Sequence, residues 1–239
     1  MAGRLPELEA IKASIKEPRL HALVREYSEE TVQIGTRTYK LSALSEIDSA
    51  LFAKTMDYIV SQIASPLVYD IVVRRADIVL DLVRMVNTET KQGFKGVWAR
   101  GKQLTIKFIS PDELLGTGVT TWLKTYTSTG WTDWAYSSSS PKDVGEEEGY
   151  IILGFVDLVE DPKIDAVKMY KDGDNYVPTY LSWDFHEDTR RIYAQELPEA
   201  WLFPPESSFA IRAHVRATGS DKLVPIGFRV LEAENLISL

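Results

Sequence analysis

Apolar residues in the first third of the chain recur with the period of an α-helix. A spacing of three or four residues, or multiples of it, predicts a first helix with the stripe Leu44, Ile47, Leu51, Ile59 and Ile63. Ser65-Pro66 is typical of an N-cap followed by proline in the first turn, so the apolar stripe from Val68 to Val86 predicts a second helix. Val and Ile lose rotamer freedom in helices, and a strand over residues 67–73 is therefore the alternative.

Two shorter patterns precede these helices. The segment from Leu5 to Tyr27, interrupted at Pro18, is amphipathic with a helical spacing. Val32 to Leu41 has the pattern of a small hairpin that turns at Gly35-Thr36. The region before Gly93 is thus expected to be mostly helical, with one β-hairpin.

After Gly93 the apolar period changes to two, which indicates strands. Phe209 to Arg216 and Val224 to Val230 alternate, with Thr218-Gly219-Ser220-Asp221 as turn chemistry for a hairpin between them. Tyr150 to Val159 is apolar enough for burial on both faces. Further strand candidates are residues 103–109, 119–127, 131–137, 164–170, 177–185 and 190–195. The pattern predicts an α+β chain: a mostly helical N-terminal region over 1–92, then an antiparallel β-sandwich over 93–239.

Composition supports the same boundary and narrows the classes of function. All six Trp, and most Tyr, Phe and excess acidic residues, lie after residue 92. The absence of cysteine excludes disulfides, thiolate zinc sites and a cysteine nucleophile. A net charge of −8 opposes non-specific binding to nucleic acid. No stretch has the roughly 18 apolar residues of a membrane-spanning helix, and we expect no signal peptide.

Three clusters of acidic residues have the chemistry of a site but favour ordinary structure. Asp172-Gly173-Asp174-Asn175 resembles the start of a calcium loop, yet the later glycine and acidic positions are absent, which favours a hairpin turn. Glu146-Glu147-Glu148 is typical of a solvated loop. Asp184, His186 and Asp188 could share one side of a strand end as acid and base groups. No nucleophile elbow, phosphate loop or dinucleotide motif is present, so we expect no catalytic site, cofactor or metal.

Exposed arginines and aromatic rings are the residue types that anchor protein interfaces. Arg212, His214 and Arg216, together with Arg229 if the last two strands pair, predict a basic stripe on an outer sheet face. Such a stripe could bind an anion or meet Glu146 to Glu148 of a neighbouring subunit. Trp131 and Trp134 are the other expected contact residues, and alternation would place Trp131 opposite to Trp134 and Tyr136.

A helical region followed by an aromatic-rich sandwich of about eight strands resembles the jelly-roll coat proteins of icosahedral viruses. The resemblance covers the last 147 residues at the level of strand count. It implies a structural protein of the virion that assembles with copies of itself and with other virion proteins. The charges of the N-terminal segment nearly cancel, so RNA packaging by a basic arm is not expected.

Two other functions fit the same residues. Trp131, Trp134 and Tyr136, among hydroxyl side chains, have the chemistry of a carbohydrate-binding or adhesion module. A small enzyme on a sandwich would depend on the cluster from Asp184 to Asp188. The hypothesis that we carry forward is the self-assembling structural protein.

Overall fold

The computed structural model describes residues 25–28, 31–34, 37–40, 63, 66–87, 103–181 and 193–233. The predicted first helix before Ile63, the boundary near Gly93 and the cluster from Asp184 to Asp188 lie outside the described residues.

Three short strands form an antiparallel meander near the start of the chain: β1 (Arg25–Ser28), β2 (Thr31–Ile34) and β3 (Arg37–Lys40). Ile34 pairs with Arg37, so two residues connect β2 to β3, and the predicted hairpin is confirmed. The prediction of a helical segment that runs to Tyr27 is wrong at its C-terminal end. Residues 25–28 form β1, and their backbone is extended because it makes hydrogen bonds with β2.

The second predicted helix is confirmed and is divided into α1 (Pro66–Arg74) and α2 (Ala76–Asn87). Burial of the β-branched residues against a sheet outweighs their lower helix propensity, and the alternative strand is wrong. Arg75, between the helices, donates to Glu196 Oε1 at 2.6 Å and to the carbonyl oxygens of Leu197 and Pro198. Among the described helices, none combines the length and apolar character needed to cross a lipid bilayer.

The remaining described residues are dominated by antiparallel strands. These elements are β4 (Gln103–Phe108), α3 (Pro111–Leu115), β5 (Lys124–Tyr126), β6 (Gly130–Ala135), β7 (Lys142–Asp143), β8 (Glu148–Asp157), β9 (Ile164–Lys171), β10 (Asp174–Asn175), β11 (Thr179–Tyr180), β12 (Tyr193–Phe203), β13 (Ser208–Val215), β14 (Gly219–Asp221) and β15 (Leu223–Ala233). One sheet has the order β12-β8-β15-β4. A second has the order β10-β9-β13-β6, with β11 on β9 and β7 on β13, and β14 pairs with β5.

The predicted hairpin of the last two long strands is wrong. β13 belongs to the six-stranded sheet and β15 to the four-stranded sheet, and the residues between them cross from one to the other. Gly219–Asp221, expected to form the turn, pairs with β5 instead. Alternation shows which side chains of a strand point inward, but it does not identify the strand's partner.

The two sheets share an apolar core in a sandwich-like arrangement. Trp134 of β6 meets Phe155 of β8 with ring centroids 5.7 Å apart, and Phe203 of β12 stacks on Phe209 of β13 at 4.1 Å. Aromatic contacts of this kind join facing sheets through large buried areas.

The four-stranded sheet is also covered on its other face, by α1 and α2. In β8, Ile152 and Phe155 belong to the core between the sheets, whereas Ile151 and Leu153 pack with the helices. Gly149 permits the close approach of α2, since an added Cβ would lie 2.6 Å from Leu82 Cδ1. The prediction that Tyr150 to Val159 is buried on both faces is confirmed for Tyr150 to Asp157.

Leu82→Ala tests the packing of α2 on the sheet. The side chain is fully buried, and we expect the free energy of unfolding to fall by about 2–5 kcal/mol in chemical denaturation. Met85→Ala, on the exposed side of the same helix, is the matched control and should change it by less than about 1 kcal/mol. Equal effects of the two substitutions would contradict this packing.

Candidate interaction surface

The outer face of the six-stranded sheet collects most of the residues that the sequence marked as contacts. Strand register aligns His214 with Trp131, and Arg212 with both Asp133 and Lys168. Paired residues of neighbouring strands point to the same side of a sheet. We call this group the outer-face cluster; it comprises Trp131, Asp133, Asp165, Lys168, Tyr170, Arg212 and His214.

Arg212 is the centre of the cluster. Its Nη2 donates to the carbonyl oxygen of Trp131 at 2.7 Å, and its Nε lies 3.2 Å from Asp133 Oδ1 as an ion pair without hydrogen-bond alignment. Slight burial alone would raise the pKa of Tyr170, but hydrogen bonds from Arg212 and Lys168 to its hydroxyl lower that pKa below its usual value. Arg212 therefore joins side chains from three adjacent strands.

Trp131 and His214 lie beside Arg212 on the same face. Their ring centroids are 5.2 Å apart in an edge contact, and the Lys168 ammonium lies 4.6 Å from the Trp131 ring centre. His214 Nδ1 is 2.7 Å from Asp165 Oδ1, which fixes the orientation of the imidazole. The structure brings Trp131, Arg212 and His214 together as a preorganised polar and aromatic surface.

The basic stripe is compensated within the chain. Arg216 Nε donates to the carbonyl oxygen of Pro162 at 2.8 Å, and its Nη2 lies 3.4 Å from Asp161. Each of the three predicted basic residues therefore has a carboxylate of its own chain nearby. A neighbouring molecule would therefore contact a surface that carries both positive and negative side chains. Such a surface contributes to binding through the pairing of individual opposite charges, which gives specificity, more than through attraction between net charges.

Arg229 does not extend the stripe, because β15 is not paired with β13. It contacts Glu113 Oε1 at 2.6 Å and Glu148 Oε2 at 2.8 Å, with its guanidinium over the ring of Tyr150. Glu148 also accepts the backbone N–H of Gly145 at 3.1 Å. Glu148 is thus engaged inside the chain, and the predicted acidic cluster is reduced to the exposed Glu146 and Glu147.

Trp134 lies on the opposite face from Trp131, as alternation predicted. It is 2% exposed, stacks on Trp122 at a centroid distance of 5.9 Å and belongs to the core between the sheets. Tyr136 packs against Phe209 on that side, and its hydroxyl donates to the Glu113 carbonyl oxygen at 2.9 Å. Trp134 is therefore a core residue of this chain, because its large apolar ring fills the space between the sheets, and Trp131 alone of these three rings faces outward.

An exposed apolar patch that the sequence did not single out borders the cluster. Val177 is 86% exposed and Tyr180 is 73% exposed, and Tyr176 is also exposed. Tyr180 pairs with Ala166, which pairs with His214, so Tyr180 lies on the outer face. We call these three residues the edge patch. No sequence signal marked it, because alternation placed Val177 on the same face of a predicted strand as Thr179 and Leu181.

The remaining candidate sites do not add ligand chemistry. Asp172 and Gly173 form a two-residue hairpin turn with φ values of 52° and 89°, which confirms the turn expected there. Within the described ranges, no group of three or more His, Asp or Glu residues is arranged to hold a metal ion.

Comparisons with protein-family models, with curated proteins and with solved structures find no match to this chain. A proposal about its function therefore rests on its strand order and on the surfaces described above.

The buried carboxylate of Glu113 gives a prediction for acid stability. Burial raises its pKa, but the contacts with Lys107, Ser110 and Arg229 prevail and lower that pKa from 4.5 to about 2. A depressed folded-state pKa stabilises the protein above pH 4.5, and this stabilisation is lost as the pH falls towards 2. Glu113→Gln should remove about 2 kcal/mol at pH 7, less than the full shift because solvent screens the partly exposed cations.

The measurement is chemical denaturation of both proteins at pH 7 and at acidic pH. The difference between wild type and Glu113→Gln should shrink as the pH falls below 4.5. A difference that is independent of pH would contradict the proposed role of the ion pairs. Glu146→Gln, at an exposed position, is the control.

Proposed function

We propose that this chain is a non-enzymatic structural subunit that assembles with copies of itself, most simply as a viral capsid or virion component with a jelly-roll sandwich. The observation that carries the proposal is the order of the strands in the two sheets. Jelly rolls are eight-stranded double-sheet folds that occur in viral capsid proteins and in lectins.

The eight strand positions are β4, β6, β8, β9, the β10/β11 pair, β12, β13 and β15. Numbered from one to eight, these positions give sheet orders of 6-3-8-1 and 5-4-7-2. The first and last strands pair, and the chain passes repeatedly between the sheets. This wrapped order supports the proposed jelly roll more specifically than strand count does.

Because a fold alone does not identify a function, the surfaces of the molecule must distinguish between the capsid and the lectin classes of jelly-roll proteins. The helices cover the outer side of the four-stranded sheet, while the outer-face cluster and edge patch remain on the other sheet. Adjacent exposed rings and arginines are the composition of interface anchors. These features support a contact between copies of the chain. In this contact the edge patch is buried as apolar area, and the outer-face cluster sets the relative orientation of the two copies.

Carbohydrate binding remains the alternative prediction, with less support from the surface. A platform of Trp131 and Trp134 needs both rings outward, whereas Trp134 lies in the core. The Lys168 ammonium lies over the Trp131 ring, where a sugar ring would stack. A glycan array that shows binding, lost in Trp131→Ala, would favour this alternative over assembly.

The assembly proposal is tested by sedimentation velocity and electron microscopy of the purified chain over a range of concentrations. We expect concentration-dependent assemblies, and the double variant Val177→Asp, Tyr180→Asp should weaken association by at least about tenfold. Burial of each side chain contributes on the order of 1.5–3 kcal/mol, which the introduced charges would remove.

Leu123→Asp is the matched control, because Leu123 is exposed but does not belong to the six-stranded sheet. It should leave association unchanged, and thermal unfolding should show that all variants fold. A wild-type protein that stays monomeric at high concentration would overturn the proposed function. Equal weakening by both variants would exclude the edge patch as the contact.

A further inference from the structure

Three buried polar side chains meet at one end of the sandwich. Asp157 ends β8, Asp221 ends β14 and Tyr126 ends β5. They are 0%, 1% and 6% exposed. Tyr126 pairs with Gly219, two residues before Asp221, and Asp157 pairs with Leu223, two residues after it. Asp221 therefore lies in the short stretch of chain between the partner of Tyr126 and the partner of Asp157, and the charges of both aspartates act on the Tyr126 hydroxyl.

Each aspartate holds one end of the β8–β9 loop, which we define as residues 158–163. Asp157 Oδ1 accepts the backbone N–H of Val159 at 3.0 Å. Asp221 Oδ2 accepts the backbone N–H groups of Lys163 and Ile164 at 2.5 and 3.0 Å. The loop is therefore fixed by two carboxyl groups that are far apart in the sequence.

The other two carboxyl oxygens lack a donor. Asp157 Oδ2 and Asp221 Oδ1 are buried, and no group of the described residues donates a hydrogen bond to either. Asp221 is nevertheless close enough to act on the carboxyl group of Asp157. Two ionised carboxylates that act on each other in a site shielded from water would repel, whereas one proton between them satisfies both.

We propose that Asp157 and Asp221 share a single proton, and that loss of this proton releases the β8–β9 loop. The pair then holds the β8–β9 loop in a pH-dependent way, and this loop contains Pro162 and Asp161, the residues that bind Arg216. The inference does not depend on self-assembly.

Two lysines near the pair bind other groups. Lys124, opposite Asp221 in β5, donates through Nζ to the carbonyl oxygens of Asp133 and Trp134 at 2.7 and 3.1 Å. In the loop, the Lys163 ammonium binds Asp161, and Glu160 is exposed. Lys222, beside the pair in sequence, accepts the backbone N–H of Leu158 through its carbonyl.

The pKa values agree with this geometry. Burial first, and then the contact with Asp221, raise the pKa of Asp157 to about 8. Burial is also the main cause that raises the pKa of Tyr126, and the negative charges of Asp221 and Asp157 raise it further. This phenol therefore stays protonated beside the pair. Titrations of adjoining carboxyl groups belong to the pair and not to one residue.

The sign of the stability effect follows from the raised pKa. Between about pH 4 and pH 8, the folded state retains a proton that the unfolded chain has released. Stability from this pair is thus complete below pH 4 and is lost as the pH rises to 8. The equilibrium constant of unfolding should rise by up to about tenfold per pH unit in this interval.

The direct test is a carbon-13 NMR titration of the aspartate carboxyl carbons in the full chain. We expect the signal of Asp157 to shift near pH 8, with loss of amide protection at Val159, Lys163 and Ile164 after correction for intrinsic exchange. An Asp157 signal that completes its titration below pH 5 would overturn the proposal, whether or not any variant folds.

Asp157→Asn supplies a second test, because its amide can donate permanently to Asp221 Oδ1 while its oxygen keeps the bond to Val159. This variant should lose the loop transition near pH 8, whereas exposed Asp174→Asn should retain it. Calcium is the remaining ligand to exclude at this acidic pair. A rise in the unfolding temperature at pH 9 with millimolar calcium, absent in Asp157→Asn, would overturn proton sharing in favour of a cation site.

Discussion

Burial of β8 from both sides is the constraint on which the other layers depend. The strand is buried continuously from Gly149 to Asp157, so each of its faces requires an apolar cover. The six-stranded sheet covers one face, and α1 and α2 cover the other. Arg75 binds the helices to β12, the strand beside β8, through Glu196 and two carbonyl oxygens. The helices therefore share an apolar core with the four-stranded sheet that they cover.

The same constraint confines the polar groups of β8 to its ends, where the chain accommodates two carboxyl groups in different ways. Glu148, at the start, is neutralised by Arg229 and lies 3.8 Å from Lys142. Burial raises its pKa, but the Gly145 N–H and Arg229 prevail and lower it below the usual value. Asp157, at the end, lies near a second carboxyl group and has no ion-pair partner among the described residues. One strand thus ends in two carboxyl groups whose pKa values are shifted in opposite directions.

The sequence predicted those features that local pattern determines. Helical spacing located Pro66 to Asn87, and the unbroken apolar run located a strand buried on both faces. It did not determine which strands pair, because β13 and β15 alternate equally well whether they share a sheet or face each other across the core. The sequence also did not show which carboxylates neutralise the basic stripe, because Asp133 and Asp165 lie on strands whose pairing was unknown and Asp161 lies in the β8–β9 loop.

The acidic pair was also missed, although Asp157 left a trace in the sequence. It interrupts the apolar run Ile151 to Val159, where a charged residue is unexpected unless it has a partner. The partner could not be identified, because Asp221 lies in a segment whose Thr, Gly and Ser residues are typical of an exposed turn. Only the three-dimensional pairing with β5 explains why that carboxyl group is buried.

Among the described residues, helices cover the outer face of one sheet and none covers the outer face of the other, and in the proposed assembly these two unlike sides limit the symmetry of the copies. Two outer-face clusters that meet about a twofold axis form an isologous contact, which is complete at two copies. Larger assemblies require a heterologous contact between different surfaces, and such contacts either close into rings or continue as filaments. The edge patch lies at the margin of the open sheet, where it can reach a different surface of the next copy. In the proposed assembly, the geometry of that margin would therefore decide between a closed and an open arrangement of copies.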